Sequence, residues 1–217
     1  MLAKAVGRPK SDAEARFAAW LCESTRRNEQ MRRLKLQMQV SIDGMVAVQR
    51  GHAHFKWDEE VRQYSIANAA NIDCILLGRI TATDFIPHWK PVAANPKDAD
   101  FEFGTLMTDI PKVVFSRTLR KSEWPNATVA NGEIVDYVNQ LKRQTGKDLL
   151  VYGGRSFVAS LIDRKLVDEY HLLLNPVVLG SGLTISRGLA DTLRLTLVTN
   201  RAFSCGTVLL CYEPFRD

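Results

Sequence analysis

The stretch from Asp148 to Leu161, D-L-L-V-Y-G-G-R-S-F-V-A-S-L, changes its hydrophobic period halfway along. Leu149, Leu150 and Val151 form a continuous apolar run bounded by turn residues, which suits a strand covered on both faces better than a half-exposed one. After Gly153 and Gly154, Val158, Leu161 and Ile162 recur at helical spacing. The chain therefore passes from strand to helix at the residue type that tolerates any φ and lets another backbone or a ligand come close. A helix N-terminus offers unpaired N–H groups and partial positive charge, so this turn is a candidate seat for a pyrophosphate. A Gly-Gly pair also makes a plain tight turn, and the full G-x-G-x-x-G of a Rossmann site is absent.

The same strand, glycine, helix order occurs upstream. Cys74-Ile75-Leu76-Leu77 ends at Gly78-Arg79, and Thr81 to His88 has helical character. Val113-Val114-Phe115 ends in Ser116-Arg117-Thr118, and residues 131–145 carry a helical stripe of Ile134, Tyr137, Val138 and Leu141 that stops at Gly146. Leu34, Leu36, Met38 and Val40 alternate with Lys35, Gln37 and Gln39, which reads as a first strand with a polar face. It breaks at Ser41-Ile42-Asp43-Gly44, a polar loop with His52, His54 and Trp57 follows, and Asp58 and Glu59 favour a helix start before Val61, Tyr64, Ser65 and Asn68. Residues 91–100 read as surface loop, and three strand-like runs at 169–179, 193–199 and 205–212 close the chain. This order predicts an α/β fold whose sheet is mostly parallel with an antiparallel C-terminal edge.

Composition sets the frame. The chain has 217 residues, 46% hydrophobic and 24% charged, enough for one sizeable core. Residues 1–33 carry eight Lys or Arg against four Asp or Glu, which leaves 21 basic and 20 acidic residues elsewhere. A balance of +4 out of the net +5 thus lies in residues 1–33. An N-terminal extension over 1–30 is expected to be disordered and then helical over 13–28, ahead of a main domain over 31–217. A near-neutral body argues against nucleic acid as a partner. No apolar run reaches the roughly 20 residues of a membrane span, which leads to the expectation of a cytoplasmic protein. Cys22, Cys74, Cys205 and Cys211 lack C-x-x-C spacing, and His52-Ala53-His54 has no cysteine or carboxylate cluster to complete a site, so no metal is expected.

Ligands of open α/β sheets bind beyond the carboxyl ends of the strands. Three strands here end in small, hydroxyl or guanidinium residues: Gly78-Arg79-Ile80-Thr81, Ser116-Arg117-Thr118 and Gly153-Gly154-Arg155-Ser156. Such groups hold phosphates through backbone and charge-assisted hydrogen bonds. The ordered set S-I-D-G, D-C-I-L-L-G-R-I-T, K-V-V-F-S-R-T-L, D-L-L-V-Y-G-G-R-S-F and L-V-D-E-Y-H-L-L-L-N-P-V-V-L-G-S-G resembles the dihydrofolate-reductase-like superfamily. More closely, it resembles the branch named for the C-terminal pyrimidine-reductase domain of the bifunctional riboflavin-biosynthesis protein.

That resemblance implies a dihydrofolate-reductase-like three-layer fold with flanking helices, and NADPH-dependent hydride transfer to a small heterocycle of pyrimidine or pterin type. Gly78, Arg79 and Thr81 would contact the cofactor's phosphates, and Ser116 with Arg117 would hold the adenosine ribose and its 2′-phosphate. Gly153, Gly154, Arg155, Ser156 and Phe157 would receive the pyrophosphate and support the nicotinamide. Ser41 and Trp57 would lie at the substrate. Asp43, Asp58 and Glu59 are the candidate proton donors, and each has a plainer reading as a turn or helix-start residue. The resemblance also implies a homodimer. One departure stands out: the riboflavin reductases have an acidic residue directly before the double glycine, where this chain has Tyr152. Other readings are a folate or pterin reductase, and a module that binds NADPH without turnover.

Overall fold

The computed structural model describes residues 31–48, 53–186 and 188–215, together with Ala19. The expectations for the extension over 1–30, Ala19 apart, and for His52 lie outside the described residues. Eight strands, β1 (Leu34–Ser41), β2 (Ile72–Gly78), β3 (Lys112–Phe115), β4 (Ala127–Ala130), β5 (Asp148–Val151), β6 (Glu169–Asn175), β7 (Leu195–Ala202) and β8 (Val208–Pro214), form one sheet. Their order is β4-β3-β2-β5-β1-β6-β8-β7. Neighbours pair in parallel from β4 to β6, and β8 runs against both β6 and β7. The expected mostly parallel sheet with an antiparallel C-terminal edge is what forms.

Among the described residues five helices cover it: α1 (Glu59–Ala69), α2 (Arg79–Ala93), α3 (Phe101–Asp109), α4 (Ile134–Arg143) and α5 (Arg155–Asp163). Helices α4 and α5 place Val138, Leu141, Val158, Leu161 and Ile162 against Leu34, Leu36, Leu76, Leu149 and Val151. On the other face, Ile66, Ala69, Ala82, Phe103 and Met107 of α1 to α3 pack on Ile75, Leu77, Val114 and Leu150. Because successive strand residues point to opposite faces, the unbroken apolar runs of β2 and β5 are what a sheet covered on both sides requires. The result is a three-layer α/β/α sandwich.

Several boundaries differ from the sequence expectation. The polar face of β1 is buried, with Lys35 and Gln37 at 2% and 3% exposure. Gln37 donates to Ser65 Oγ (2.8 Å) and accepts from Asn68 Nδ2 (2.7 Å), so the polar residues of β1 and α1 satisfy each other beneath the helix. Helix α2 continues through Pro87 and Pro91, both on its exposed side where the freed carbonyls can meet water, and so shortens the loop expected over 91–100. Helix α3 and strand β4 were not anticipated. Strand β6 stops at Asn175 because Pro176 has no N–H for the ladder.

The amino ends of the central strands carry buried charge. Arg33 pairs with Glu169 (3.0 Å), Lys35 with Asp148 (3.0 Å), and Glu169 also bonds His171, whose other nitrogen meets the Tyr64 hydroxyl. Burial alone would raise the Glu169 carboxyl, but His171, Lys35 and Arg33 bring it down to about 2. These ionic contacts lie at the end of the sheet away from the glycine turns. Among the described residues no helix is long and apolar enough to cross a membrane.

Candidate functional site

Strands β2 and β5 are parallel neighbours, yet β2 leads into α2 on one face and β5 into α5 on the other. A crevice between their carboxyl ends follows from that divergence. Gly78 is the N-cap of α2 and Gly154, at φ +82°, is the N-cap of α5; neither start has a side-chain cap. The first N–H groups of both helices are therefore available to another acceptor. A Cβ on Gly78 would sit 2.9 Å from Phe157 Cβ, and one on Gly154 would sit 2.5 Å from Thr81 Oγ1. These two glycines let the helix starts approach each other. Gly153 is different, since a Cβ there would meet nothing nearer than Thr81 Cγ2 at 4.0 Å. Among the described residues no contact requires a glycine at 153, but a ligand lying against the backbone would.

Positive charge gathers along the same edge. Arg79 follows β2, Arg117 follows β3 and Arg155 follows β5; the first two are exposed, and none of the three forms an ion pair with the described residues. Ser116 Oγ accepts from the backbone N–H of Leu119 (2.9 Å) and Thr118 (3.2 Å), a turn that carries Arg117 at its corner. Ser156 is exposed in the first turn of α5, and the Phe157 ring packs on Phe115 with centroids 4.9 Å apart.

Beside this edge, on the side of α1 to α3, lies a pocket of about 430 Å³. Thr81 belongs to both, lining the pocket while facing Gly154. Trp57, Phe85, Trp89, Phe103 and Tyr152 form a continuous aromatic wall, with Trp57 and Trp89 each about 5 Å from Phe103 and Phe85 stacked on Tyr152 at 6.0 Å. His88 stands at the exposed rim against Trp89. Gln37, Gln39, Met38 and Leu173 of β1 and β6 supply further lining, with Val46 and Phe55 from the intervening loop. Asp100 is the carboxylate that lines the pocket; its Oδ1 accepts from Trp57 Nε1 (2.9 Å) and Arg62 Nη1 (3.1 Å). The Tyr152 hydroxyl is buried without a hydrogen-bond partner among the described residues, and that burial pushes its pKa well up.

The structure brings Trp57 and Thr81 to the pocket and sets the other proposed cofactor residues along the glycine edge. It does not bring the three proposed acids there. Asp43 accepts from Ser41 Oγ (2.6 Å) and from the N–H groups of Leu179 (3.1 Å) and Gly180 (2.7 Å), bonds that hold its carboxyl below the usual range. It ties the end of β1 to the P-V-V-L-G-S-G loop, where Gly182 packs so closely on Ala47 that a Cβ would lie 2.5 Å from its carbonyl oxygen. Ser41 is wholly buried; its hydroxyl donates to Asp43 and accepts from the Met45 N–H. Asp58 caps α1 through the Val61 N–H (3.0 Å). Glu59 is exposed and bonded to Arg62 and Gln63, which lowers its pKa. The geometry gives these residues turn and cap duty.

The model described as RibD C-terminal domain matches residues 32–209, the whole span that carries these features. The chain belongs to that family. Among curated proteins it is 33% identical over 187 residues to the uncharacterised protein YyaP of Bacillus subtilis (strain 168), covering 86% of this chain and 97% of YyaP. Among solved structures it is similar to a putative riboflavin biosynthesis protein from Shewanella sp. PV-4, with a TM-score of 0.67 at 19% identity over 85% of this chain and 99% of that one. It is also similar to the riboflavin biosynthesis reductase Rib7 of Saccharomyces cerevisiae, with a TM-score of 0.57 at 16% identity over 92% and 99%. These likenesses establish a shared fold.

Sequence reasoning missed Gln37, Gln39, Phe85, His88, Trp89, Asp100, Phe103 and Tyr152 as pocket residues. Two signals were present. The aromatic residues Phe85 and Trp89 recur at i and i+4 on α2, which places them on one face, and Gln37 and Gln39 alternate on a strand that the sheet order makes central.

Proposed function

We propose that this chain is an NADPH-dependent reductase that seats its cofactor along the glycine edge and its substrate in the adjoining aromatic pocket. The observation that carries the reading is the open space over Gly153, flanked by two helix starts without side-chain caps and by three arginines that form no ion pair with the described residues. Phosphate groups fit such a place by charge and by backbone donation. Gly78, Arg79 and Thr81 would hold one side of the pyrophosphate, with Gly153, Gly154, Arg155 and Ser156 on the other. Arg117, exposed on the Ser116 turn, is the group for the 2′-phosphate. Phe157 would support the nicotinamide side. When bound, the cofactor supplies a hydride for reduction of a C=O or C=N group. This chain's part is to hold the two ligands together at Thr81 and to keep water from the aromatic side.

The structural relatives support a riboflavin-type pyrimidine reduction as the general class, since one carries that reductase in its name. Asp43, Asp58 and Glu59 are not taken as proton donors, because none of them lines the pocket. The experiment is a titration of the purified chain with NADPH and with NADH, repeated on Arg117→Ala. Preferential NADPH binding that the substitution weakens supports the reading, and absence of binding by either nucleotide ends it.

A further inference from the structure

The antiparallel half of the sheet, β6, β8 and β7, has an apolar face that no described helix covers. On the α1 side, Val61 and Tyr64 pack on Leu173, Leu209 and Cys211. Because strand side chains alternate, Leu172, Leu174, Val208, Leu210 and Tyr212 point the other way. The register sets them in rows, Leu174 beside Val208 and Leu172 beside Leu210, and Leu197 extends the Tyr212 row onto β7. Helices α4 and α5 lie on that side too, but they pack on Leu34, Leu36, Leu76, Leu149 and Val151, over β1, β2 and β5. The segment after β6 brings Ile185, Leu189 and Leu193 to the core that Leu172 and Tyr212 border. Leu174, Val208 and Leu210 join none of the described cores and stay half-buried, while Leu197 and Val198 are 47% and 39% exposed. Addition of a further strand at this edge is disfavoured, because the pairing of β7 with β8 shifts register between Leu197 and Thr199, and a bulge twists an edge away from a partner.

We propose that residues 13–28 of this same chain are the helix that covers this face, setting Phe17, Trp20 and Leu21 against Leu174, Val208, Leu210 and Leu197. Those three residues recur at i, i+3 and i+4, the spacing of one helical stripe. Ala19, the described residue of the segment, is helical and exposed. At about 3.6 residues per turn it lies opposite the stripe, so a docked stripe leaves it in solvent, as observed. The chain also enters the fold at a suitable place. The Arg32 N–H donates to the Lys142 carbonyl of α4 (2.9 Å), which sets the preceding residues on the α4 and α5 side of the sheet. Arg33 donates to the Asp168 carbonyl just ahead of β6 (3.1 Å) and to the Glu213 carboxylate of β8 (2.8 Å), beside the end of the uncovered face. Residues 29–32 can span about 13 Å, against about 10 Å from β1 across β6 to β8. A helix over 13–28 would be about 24 Å long, close to the length of β8. Helices α1, α3, α4 and α5 each lead into the next strand, and a helix ahead of β1 repeats that order. This inference is independent of the reductase reading.

The test is amide hydrogen exchange on the full chain, read by mass spectrometry over 13–28 at two protein concentrations, with sedimentation velocity on the same samples. A helix of this length is marginal alone in water, so the segment should exchange at least about tenfold more slowly than an unprotected one only if it is docked. That protection should not depend on concentration. Trp20→Ala, which keeps helix propensity and removes the contact, should abolish it, and so should Leu197→Asp on the facing strand. Ala19→Lys, on the opposite side of the helix, should leave it in place. Unchanged exchange in β2 and β5 checks that the sheet is intact, and Leu197→Ser repeats the measurement if the charged variant disturbs it. Exchange of 13–28 at the unprotected rate in the unsubstituted chain overturns the inference. Protection that survives the Leu197 substitutions also overturns it, because the segment would then pack elsewhere. A dimer that dissociates in Leu197→Asp, or protection lost on dilution, overturns it in favour of a second copy as the cover.

Discussion

The glycine edge and the aromatic pocket share Thr81 and almost nothing else. The edge is made by backbone: helix starts without side-chain caps, glycines that permit close approach, and arginines at the rim. The pocket is made by side chains drawn from β1, the following loop, α2, α3 and the end of β5. A phosphate site can be built from local turns because its ligands are N–H groups that any sequence supplies. A site for a flat apolar ring needs area, which has to be collected from distant parts of the chain. On the proposed reading, cofactor and substrate recognition in this fold are separable, and substitutions should separate them.

The largest expected effect touches both regions equally. Removing the carboxylate in Glu169→Ala leaves Arg33 and His171 without their buried partner and should cost about 3–5 kcal/mol of stability, measured by denaturant unfolding. The same carboxyl titrates near 2 in the folded chain against an ordinary 4.5. Its contribution is therefore complete above about pH 4.5 and is lost as pH falls toward 2, so Glu169→Gln should flatten the acid limb of a stability profile. Gly154→Val combines a side chain at positive φ with a collision on Thr81, and should cost about 2–4 kcal/mol together with cofactor affinity. Gly153→Ala sharpens the contrast: its melting temperature should stay close to that of the unsubstituted chain while NADPH affinity falls by about tenfold or more. If its cofactor affinity were unchanged, the backbone cradle would not be where the pyrophosphate lies. Phe85→Ala should do the reverse, sparing NADPH binding and weakening the heterocycle. The smallest change belongs to Asp43→Asn, which keeps one acceptor for the loop N–H groups and should leave turnover within about threefold, the effect of a weakened exposed hydrogen bond. A loss of turnover by a thousandfold would restore Asp43 as the acid.

The edge was legible in the sequence and most of the pocket was not. Leu149 to Val151 followed by Gly153 and Gly154 announces a strand, a turn and a helix within 14 residues, because period and glycine are local signals. Phe85, Trp89 and Phe103 each read locally as ordinary core aromatics, and only the packing of α2 and α3 over β2 and β5 turns them into one wall. Gln37 and Gln39 read only as the polar face of a strand, since alternation shows which residues share a side but not what covers it. Asp43, Asp58 and Glu59 drew the proton-donor reading for a related reason. Asp before Gly and Asp before a helix are polar at positions where turns and caps use them, and sequence alone does not show where their oxygens point.

The most direct measurement of the division between edge and pocket is energy transfer from tryptophan to bound nicotinamide. Trp57 and Trp89 both line the pocket. If NADPH lies along the glycine edge with its nicotinamide at Thr81, exciting tryptophan should produce nicotinamide emission that saturates with NADPH. That emission should fall in Trp57→Phe and Trp89→Phe without a matching loss of affinity. Saturable NADPH binding whose sensitised emission ignores both substitutions would contradict the account, because it would place the cofactor away from the pocket.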